Sequence, residues 1–276
     1  MKYKIEKNTV QETLIIPLYA RKVCSELYPN LYRDETAVRL IDEIDYDFSE
    51  AEKNSRGLMQ RFGSLEVAMR QNDLAFEVRD YLKSHPNAAV VNLGCGLDGT
   101  GRSCDNGSCK IYNLDFPDVI SVRNELLPAG EREENIPCDL NNTEWFGKID
   151  ASNGAVFFAS GVFYYFLTEQ VKTLVQQMAD AFPGSVLVFD AANRTAVKMI
   201  AKTWLKSAKI KDVGAYFAVS DAPKEIGAWS SRLQVTSRGY MLGYNDLKDP
   251  SVSRFFRFLA KVGDGMMKMQ IVKIRF

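Results

Sequence analysis

Four glycines and one aspartate are the residues whose types and spacing have the clearest chemical meaning. Gly94, Gly96, Gly99 and Gly101 follow a short apolar run, and Asp115 ends the next one. Backbone without Cβ atoms can approach a ligand closely. A carboxylate at the carboxyl end of the following strand can accept two hydrogen bonds from ribose hydroxyls. The pattern therefore predicts a site for a nucleotide or a nucleoside.

The glycine spacing leaves two ligand classes open. Gly94-x-Gly96-x-x-Gly99 followed by Asp115 matches the dinucleotide fingerprint, so an NAD(P)-dependent oxidoreductase is one hypothesis. That fingerprint also needs a helix that begins at the loop and holds the pyrophosphate. Residues 98–108 have no helical period and are rich in Gly, Asp, Asn and Ser, which is typical of a loop. A ligand without a pyrophosphate fits better, and S-adenosylmethionine (SAM) offers a ribose, an adenine and an amino-acid end.

Five short runs predict the parallel strands that would position this loop. They are 88–93, 110–114, 134–138, 155–159 and 185–189. Four of them are mainly apolar, which is typical of strands buried on both faces. Ligands of open α/β sheets bind outside the carboxyl ends of the strands. The polar residues that follow these runs are therefore the candidate site residues.

Helical spacing of apolar residues predicts the remaining elements. Helices are predicted at 64–84, 117–127 and 251–262, with a further one that begins at Thr168. Ser64 and Thr168 are predicted as N-caps, and Asp34 as the N-cap of a short N-terminal helix. Asp115 could also be the N-cap of the 117–127 helix, and this role is compatible with ribose binding. Runs at 229–236 and 268–276 predict a closing antiparallel pair of strands.

Four segments together resemble the consecutive core motifs of one family. They are VVNLGCGLDG, YNLDFPDVI, ASGVFYYF and FPGSVLVFD. They are similar to the leucine carboxyl methyltransferase family, particularly its bacterial branch of tetracenomycin-type polyketide O-methyltransferases, and the resemblance covers residues 70–190. It implies an α/β fold of the class I SAM-dependent methyltransferases, with a seven-stranded sheet and helices on both faces. Residues 1–63 would form a helical cap or lid and 64–276 the methyltransferase domain, with 195–245 as a substrate-specificity insertion.

The resemblance also implies a set of residues that hold SAM and its product S-adenosylhomocysteine (SAH). These are Arg70, Asn92, Gly94, Cys95, Gly96, Asp98, Asp115, Phe116, Asp139, Leu140, Ser160 and Gly161. Arg70 would meet the SAM carboxylate, because a guanidinium binds a carboxylate bidentately, and Arg56 is a second candidate. Asp139 would accept a hydrogen bond from the adenine amino group; its alternative is a turn residue before Asn141.

Two positions depart from the family's pattern. The family continues Gly-Leu-Asp with Thr-Arg, whereas this chain has Gly99-Thr100-Gly101-Arg102, and it has Glu where this chain has Ser160. These departures keep a second hypothesis open, a SAM- or SAH-binding regulatory or interaction protein without catalysis.

Composition excludes several other classes. The chain has 276 residues with 35 basic and 35 acidic side chains, which gives no support for a nucleic-acid partner. It has no apolar run of about 18 residues for a membrane span and no apolar signal core, so a cytoplasmic location is expected. Cys104 and Cys109 are the closest pair of five cysteines, compatible with a loop disulfide or with thiols, which the cytoplasm favours. The one histidine, His85, precedes the first strand, so no metal site is predicted.

The methyl acceptor is left open by the residues. A carboxylate acceptor needs no base, whereas a phenol benefits from one, and no histidine is placed to serve. A small molecule or a protein C-terminal carboxylate is the expected partner. Among Phe163, Tyr164 and Tyr165 at least one should face the methyl-transfer site, with Tyr164 a candidate for orienting the acceptor. Three residues after the fifth strand are expected at the acceptor edge: Asp190, Asn193 and Arg194.

Overall fold

The computed structural model describes residues 2–5, 10–200 and 216–276. Its N-terminal elements are β1 (Tyr3–Lys4), α1 (Val10–Leu27), α2 (Glu35–Glu43), β2 (Ile44–Asp45), α3 (Ser49–Ser55) and α4 (Leu58–Ser84). The sheet and its helices follow as β3 (Ala89–Leu93), α5 (Thr100–Ser103), β4 (Lys110–Asp115), α6 (Pro117–Leu126), β5 (Glu133–Pro137), β6 (Ala155–Ala159), α7 (Thr168–Ala181), β7 (Val186–Ala191), α8 (Arg194–Ile200), α9 (Ala222–Glu225), β8 (Gln234–Gly239), α10 (Arg254–Gly265) and β9 (Gln270–Arg275). Short 3₁₀ helices lie at Thr143–Lys148, Phe163–Tyr165 and Gly227–Trp229.

Seven strands form one mixed sheet in the order β5-β4-β3-β6-β7-β9-β8. The first five in that order are parallel, β9 is antiparallel to β7, and β8 is antiparallel to β9. The predicted seven-stranded sheet with a closing antiparallel pair is therefore confirmed. The chain leaves β3 toward β4 on one side and later returns to β6 on the other, which creates a crevice at the carboxyl end of β3.

The apolar strands are buried on both faces, as their sequences predict. Every residue of β3, β6 and β7 is buried. Successive side chains of a strand point to opposite faces, so Val91 and Phe157 join one hydrophobic cluster while Val90 and Phe158 join the other. Helices cover both faces of the sheet, so its carboxyl edge is a rigid place for a site.

The N-terminal helices form a separate hydrophobic cluster against α6 and the glycine loop. Leu18 of α1 and Leu40 of α2 are fully buried there beside Val122 and Leu97. Asp34 is the N-cap of α2 and accepts a hydrogen bond from Ala37 N, as expected. The cap thus packs over the edge of the sheet that carries the candidate site.

Helix α4 begins six residues earlier than the sequence predicts. Ser64 is not its N-cap but a buried residue inside the helix, whose hydroxyl donates to Gln60 O. The first turns are held by tertiary packing, including a ring contact of 5.5 Å between Phe62 and Phe256, which no local pattern reveals. The expected boundary between residues 63 and 64 consequently lies within a continuous helix.

Two smaller expectations are also wrong. Thr168 is the first residue of α7 rather than its N-cap; the N-cap is Leu167, whose N–H donates to Gln170 Oε1. The strand expected from 229 begins at Gln234, because Trp229 ends a 3₁₀ turn instead. Residues 201–215 of the expected specificity segment, with Trp204, lie outside the described residues.

The single histidine and the cysteines occupy structural positions. His85 is the C-cap of α4, and its ring stacks on Tyr81 with centroids 4.2 Å apart. Cys104 and Cys109 are free thiols, and burial raises the pKa of Cys104 to about 11. Within the described ranges, no helix is both long and apolar enough to cross a membrane, and no group of three metal-ligating side chains occurs.

Candidate active site

Asp115 lies at the carboxyl end of β4 with its carboxylate turned toward the glycine loop. One oxygen accepts from Gly96 N and the other from Phe116 N, each at 2.8 Å. The N-cap of α6 is Phe116, so Asp115 does not take the alternative role of a helix cap. Burial raises the pKa of Asp115, and the two backbone N–H groups oppose that rise. Each oxygen retains acceptor capacity beyond its one backbone bond, which suits a diol placed beside it.

The glycine loop has the backbone conformation that its sequence suggests. Gly94 and Gly96 have φ of +67° and +45°, a region that residues with a Cβ rarely adopt. A Cβ on Gly94 would lie 2.6 Å from a methyl group of Val162, and one on Gly96 would lie 3.1 Å from Leu14 of the cap. The loop is therefore in close contact with two apolar side chains in addition to any ligand. Cys95 is buried between these glycines, and its N–H donates to Leu114 O of β4.

Asp98 is buried and its carboxylate is occupied by protein donors. It accepts from Thr100 N and Thr100 Oγ1, both at 2.6 Å, from Gln71 Nε2, and from Asn92 Nδ2 at 3.5 Å. These bonds nucleate α5, one helical turn where the sequence predicts only loop. This turn has no apolar periodicity because its packed residue is Gly101. A Cβ on Gly101 would lie only 2.9 Å from a methyl group of Ile111.

A chain of polar contacts ties the N-terminal cap to this loop. The Tyr32 hydroxyl lies within hydrogen-bond distance of both Gln71 and Asp34. Arg21 donates to Asp34 at 2.9 Å and to Leu97 O of the glycine loop at 2.8 Å. Sequence reasoning missed Arg21, Tyr32 and Gln71, since partners so far apart in sequence carry no local signal.

At the end of β5, Asp139 makes the hydrogen bonds of a turn residue through one oxygen, and its contact with the adenine stays a prediction. It is exposed, and one carboxylate oxygen accepts from Asn141 N and Nδ2, each at 2.9 Å. Leu140 is buried in the core, whereas Phe116 is 46% exposed next to Asp115. Burial raises the pKa of Cys138 to about 12, so the thiol beside Asp115 is neutral.

Arg70 of α4 reaches the carboxyl ends of β6 and β7. Its Nη1 lies 3.2 Å from Asp190 Oδ2, and Asp190 Oδ1 accepts from Gly161 N at 2.6 Å. Gly161 has φ of +71°, and a Cβ there would lie 3.0 Å from the guanidinium. Burial opposes the charge of Arg70, but Asp190 and neighbouring tyrosines outweigh it and raise the pKa of Arg70. Its Nε is buried and has no hydrogen-bond partner in the described part of the chain.

The remaining candidate residues differ in their exposure and in their hydrogen-bond partners. Arg56 is 80% exposed and pairs with Glu52 at 3.6 Å, so its guanidinium is not buried as that of Arg70 is. Ser160 is partly exposed between β6 and Gly161. Asn193 caps α8 and donates to Met266 O at 2.9 Å, and Arg194 is exposed.

The aromatic residues after β6 also differ in their burial. Phe163 is core, with its ring 5.0 Å from that of Phe189. Tyr164 is buried beside Asp190, and burial raises its pKa well above the usual value. Tyr165 is 46% exposed. Val162 and Phe166 pack against the main hydrophobic cluster.

Further acidic and phenolic groups surround Arg70 on the outer side of the sheet edge. Glu66 lies one helical turn before Arg70, and Asp264 and Tyr240 face the same space from α10 and the end of β8. The sequence held one signal for Glu66, namely its i, i+4 spacing to Arg70, which places both on one helix face.

The family profile of leucine carboxyl methyltransferases matches residues 16–179. This chain belongs to the leucine carboxyl methyltransferase family. The resemblance seen in the motifs is thereby confirmed, and so is the class I methyltransferase fold. Because the family is SAM-dependent, SAM is the cofactor of this chain.

Three similar proteins are methyltransferases as well. The tetracenomycin polyketide synthesis O-methyltransferase TcmP of Streptomyces glaucescens is 27% identical over 183 residues, 66% of each chain. The S-adenosyl-L-methionine-dependent methyltransferase dpfgK of Gibberella zeae is 24% identical over 258 residues, 87% of this chain and 85% of that one. The plantazolicin methyltransferase BamL, solved with a triazolic desmethylPZN analog and SAH, shares the fold with a TM-score of 0.53, 12% identity, and coverage of 95% and 97%.

Proposed function

We propose that this protein transfers a methyl group from SAM to an oxygen atom, of a phenol or of a carboxylate, on a small molecule or a protein C-terminus. The observation that carries the proposal is the buried Arg70 guanidinium with an unused Nε, placed beside Gly161 at the crevice that Asp115 borders. The similarity to TcmP, named as an O-methyltransferase, supports oxygen as the acceptor atom.

The residues at the crevice fit SAM along its length. Asp115 would accept from the ribose hydroxyls, and the exposed ring of Phe116 would cover one face of the adenine. The backbone of Gly94 to Gly96 would lie along the methionine part. Arg70 would bind the SAM carboxylate through its free Nε, with Ser160 and Gly161 beside it. Asn92 and Asp98 act through the loop, since Asp98 already has its donors.

When bound, SAM supplies a methyl group on an already activated sulfonium. The work left to the chain is to hold the acceptor oxygen in line with that methyl and to exclude water. Tyr164 and Tyr240 are buried beside Asp190 and Arg70 and wall the space on the β6–β7 side. The helical cap, joined to the loop through Gln71, would close the other side.

The first test is calorimetric titration with SAM, SAH and NAD in parallel, followed by a radiolabelled methyl-transfer screen of phenols and carboxylic acids. We expect SAM and SAH to bind, NAD not to bind, and at least one acceptor class to be methylated. Binding of SAM without transfer to either class would support the non-catalytic alternative. Binding of NAD alone would overturn the proposal.

Replacement of Arg70 by alanine should weaken SAM binding and leave adenosine binding nearly unchanged. A hydrogen bond to a charged group contributes about 1.5–3 kcal/mol, roughly a tenfold to hundredfold loss of affinity. Adenosine lacks the carboxylate, so it reports only on the ribose and adenine contacts. Calorimetry of both ligands checks this, with Arg56→Ala as the exposed control. Equal losses for the two ligands would assign Arg70 a folding role instead.

A further inference from the structure

Helix α4 extends beyond the carboxyl edge of the sheet. Tyr81, near its end, lies beside Gly154 just before β6, while Arg70 lies beside Gly161 just after β6. The helix therefore runs antiparallel to the strand, and its earlier residues project past the edge. Glu66 is four residues before Arg70, about 6 Å further out along the axis. Its side chain consequently borders the space above the methyl-transfer edge, where an acceptor must enter.

Four carboxylates lie around Arg70 and Tyr240, and within the described residues only one of them has no hydrogen-bond donor. Asp190 accepts from Gly161 N and pairs with Arg70, Asp73 accepts from Met241 N at 2.8 Å, and Asp264 accepts from Leu242 N at 3.2 Å. Glu66 makes no hydrogen bond and no ion pair with the residues described in the structure. It is surrounded by protein but keeps part of its surface accessible, as a residue in the wall of a cleft does.

The groups that face Glu66 come from three elements. They are Arg70 from its own helix, Asp264 from α10 and Tyr240 from the end of β8. Burial raises the pKa of Glu66 to about 7, Asp264 acts in the same direction, and Arg70 opposes both. A base with a pKa close to the working pH combines sufficient ionisation with sufficient basicity. Glu66 therefore has a pKa suited to a general base, a role for which the sequence offers no suitably placed histidine.

The groups around Glu66 favour a phenol over a carboxylate as the acceptor. A carboxylate acceptor is already an anion, has no proton for Glu66 to accept, and would approach the ionised form of Glu66 directly. Like charges in a partly buried site repel strongly. A phenol enters neutral and offers a proton, which Glu66 can accept.

We propose that Glu66 is the general base of methyl transfer and that the acceptor is a phenol. The proposal rests on the O-methyltransferase function proposed above. The phenolic O–H donates to the Glu66 carboxylate. As the oxygen–methyl bond forms, the methyl–sulfur bond breaks and its electron pair stays on sulfur, giving SAH. The proton remains on Glu66 and leaves to water through the accessible side of the carboxyl group.

The test compares Glu66→Gln with the wild type on two phenol probes. One is an unactivated phenol such as 2-naphthol, un-ionised at the assay pH; the other is 2,4-dinitrophenol, which is ionised and has no proton to remove. On 2-naphthol, the wild-type rate should rise with pH through about 7, where the carboxyl group of Glu66 loses its proton. The variant should lose that dependence and about 10²–10⁴ in rate. On 2,4-dinitrophenol, the variant should be at least as fast as the wild type, since no proton has to be removed and the substitution takes away a charge that repels the phenolate.

Asp80→Asn is the matched control, because Asp80 is on the exposed surface of the same helix and should leave both rates unchanged. SAM binding by calorimetry should be equal in all three proteins. Equal losses on both phenols would overturn the role of Glu66 as a base, and so would methylation of benzoate but neither phenol. Failure of the wild type to bind SAM, or to methylate any acceptor, would instead remove the proposed function on which the inference rests.

Discussion

Replacing Asp115 with alanine is expected to lower SAM affinity by well over tenfold. A charged hydrogen bond to ribose contributes about 1.5–3 kcal/mol. The substitution also removes the acceptor for Gly96 N, which the carboxylate holds at 2.8 Å. The glycine loop would thereby lose one of its hydrogen bonds to β4. The two losses act on the same ligand, so the effect should exceed that of removing Arg70.

The pattern of loss across ligands separates Asp115 from Arg70. Adenosine contains the ribose, so Asp115→Ala should weaken adenosine and SAM by similar factors, measured by calorimetry. Asp118→Ala is the matched control, because Asp118 is exposed on the first turn of the adjacent helix. Unchanged SAM affinity in Asp115→Ala, with an unchanged circular dichroism spectrum, would remove the ribose-binding role.

The sheet could be predicted from sequence because its signal is local. β6, predicted at 155–159, is found as Ala155–Ala159, and β3 differs from its prediction by one residue. A strand buried on both faces must be apolar throughout, and polar residues mark where it ends. The positions of Asp115 and Gly161 at the carboxyl edge follow directly from those strand ends. The family motifs then fixed which of the α/β folds the sheet belongs to.

The side-chain partners at the site could not be predicted in the same way. Arg70 and Asp190 are 120 residues apart in the chain, and Asp98 and Gln71 are 27 apart. Only the folded backbone brings these pairs together. The start of α4 was missed for a related reason, since packing of Phe62 on Phe256 and not a capping residue sets it. Sequence therefore located the edge of the sheet, while the electrostatics of that edge depend on tertiary contacts.

Breaking the ion pair between Arg70 and Asp190 by removing one partner should also strongly destabilise the fold. Asp190 has 1% of its side chain exposed and Arg70 has 15%. Removing one member of a buried pair leaves the other charge without compensation, which costs about 3–5 kcal/mol. Asp190→Ala additionally leaves Gly161 N without its acceptor. We expect a loss of that size in the free energy of unfolding, measured by urea denaturation.

A double-mutant cycle distinguishes this explanation from a simple loss of packing. Arg70→Met retains the length of the side chain but removes its charge, so Asp190→Ala in that background leaves no buried cation. The double variant should then be more stable than the sum of the two single losses predicts, by about 0.5–3 kcal/mol. Additive losses would show that the two side chains contribute independently. In that case Arg70 would be held in place by Gly161 and its tyrosine neighbours, and its guanidinium would be free to bind an anionic ligand without first leaving Asp190.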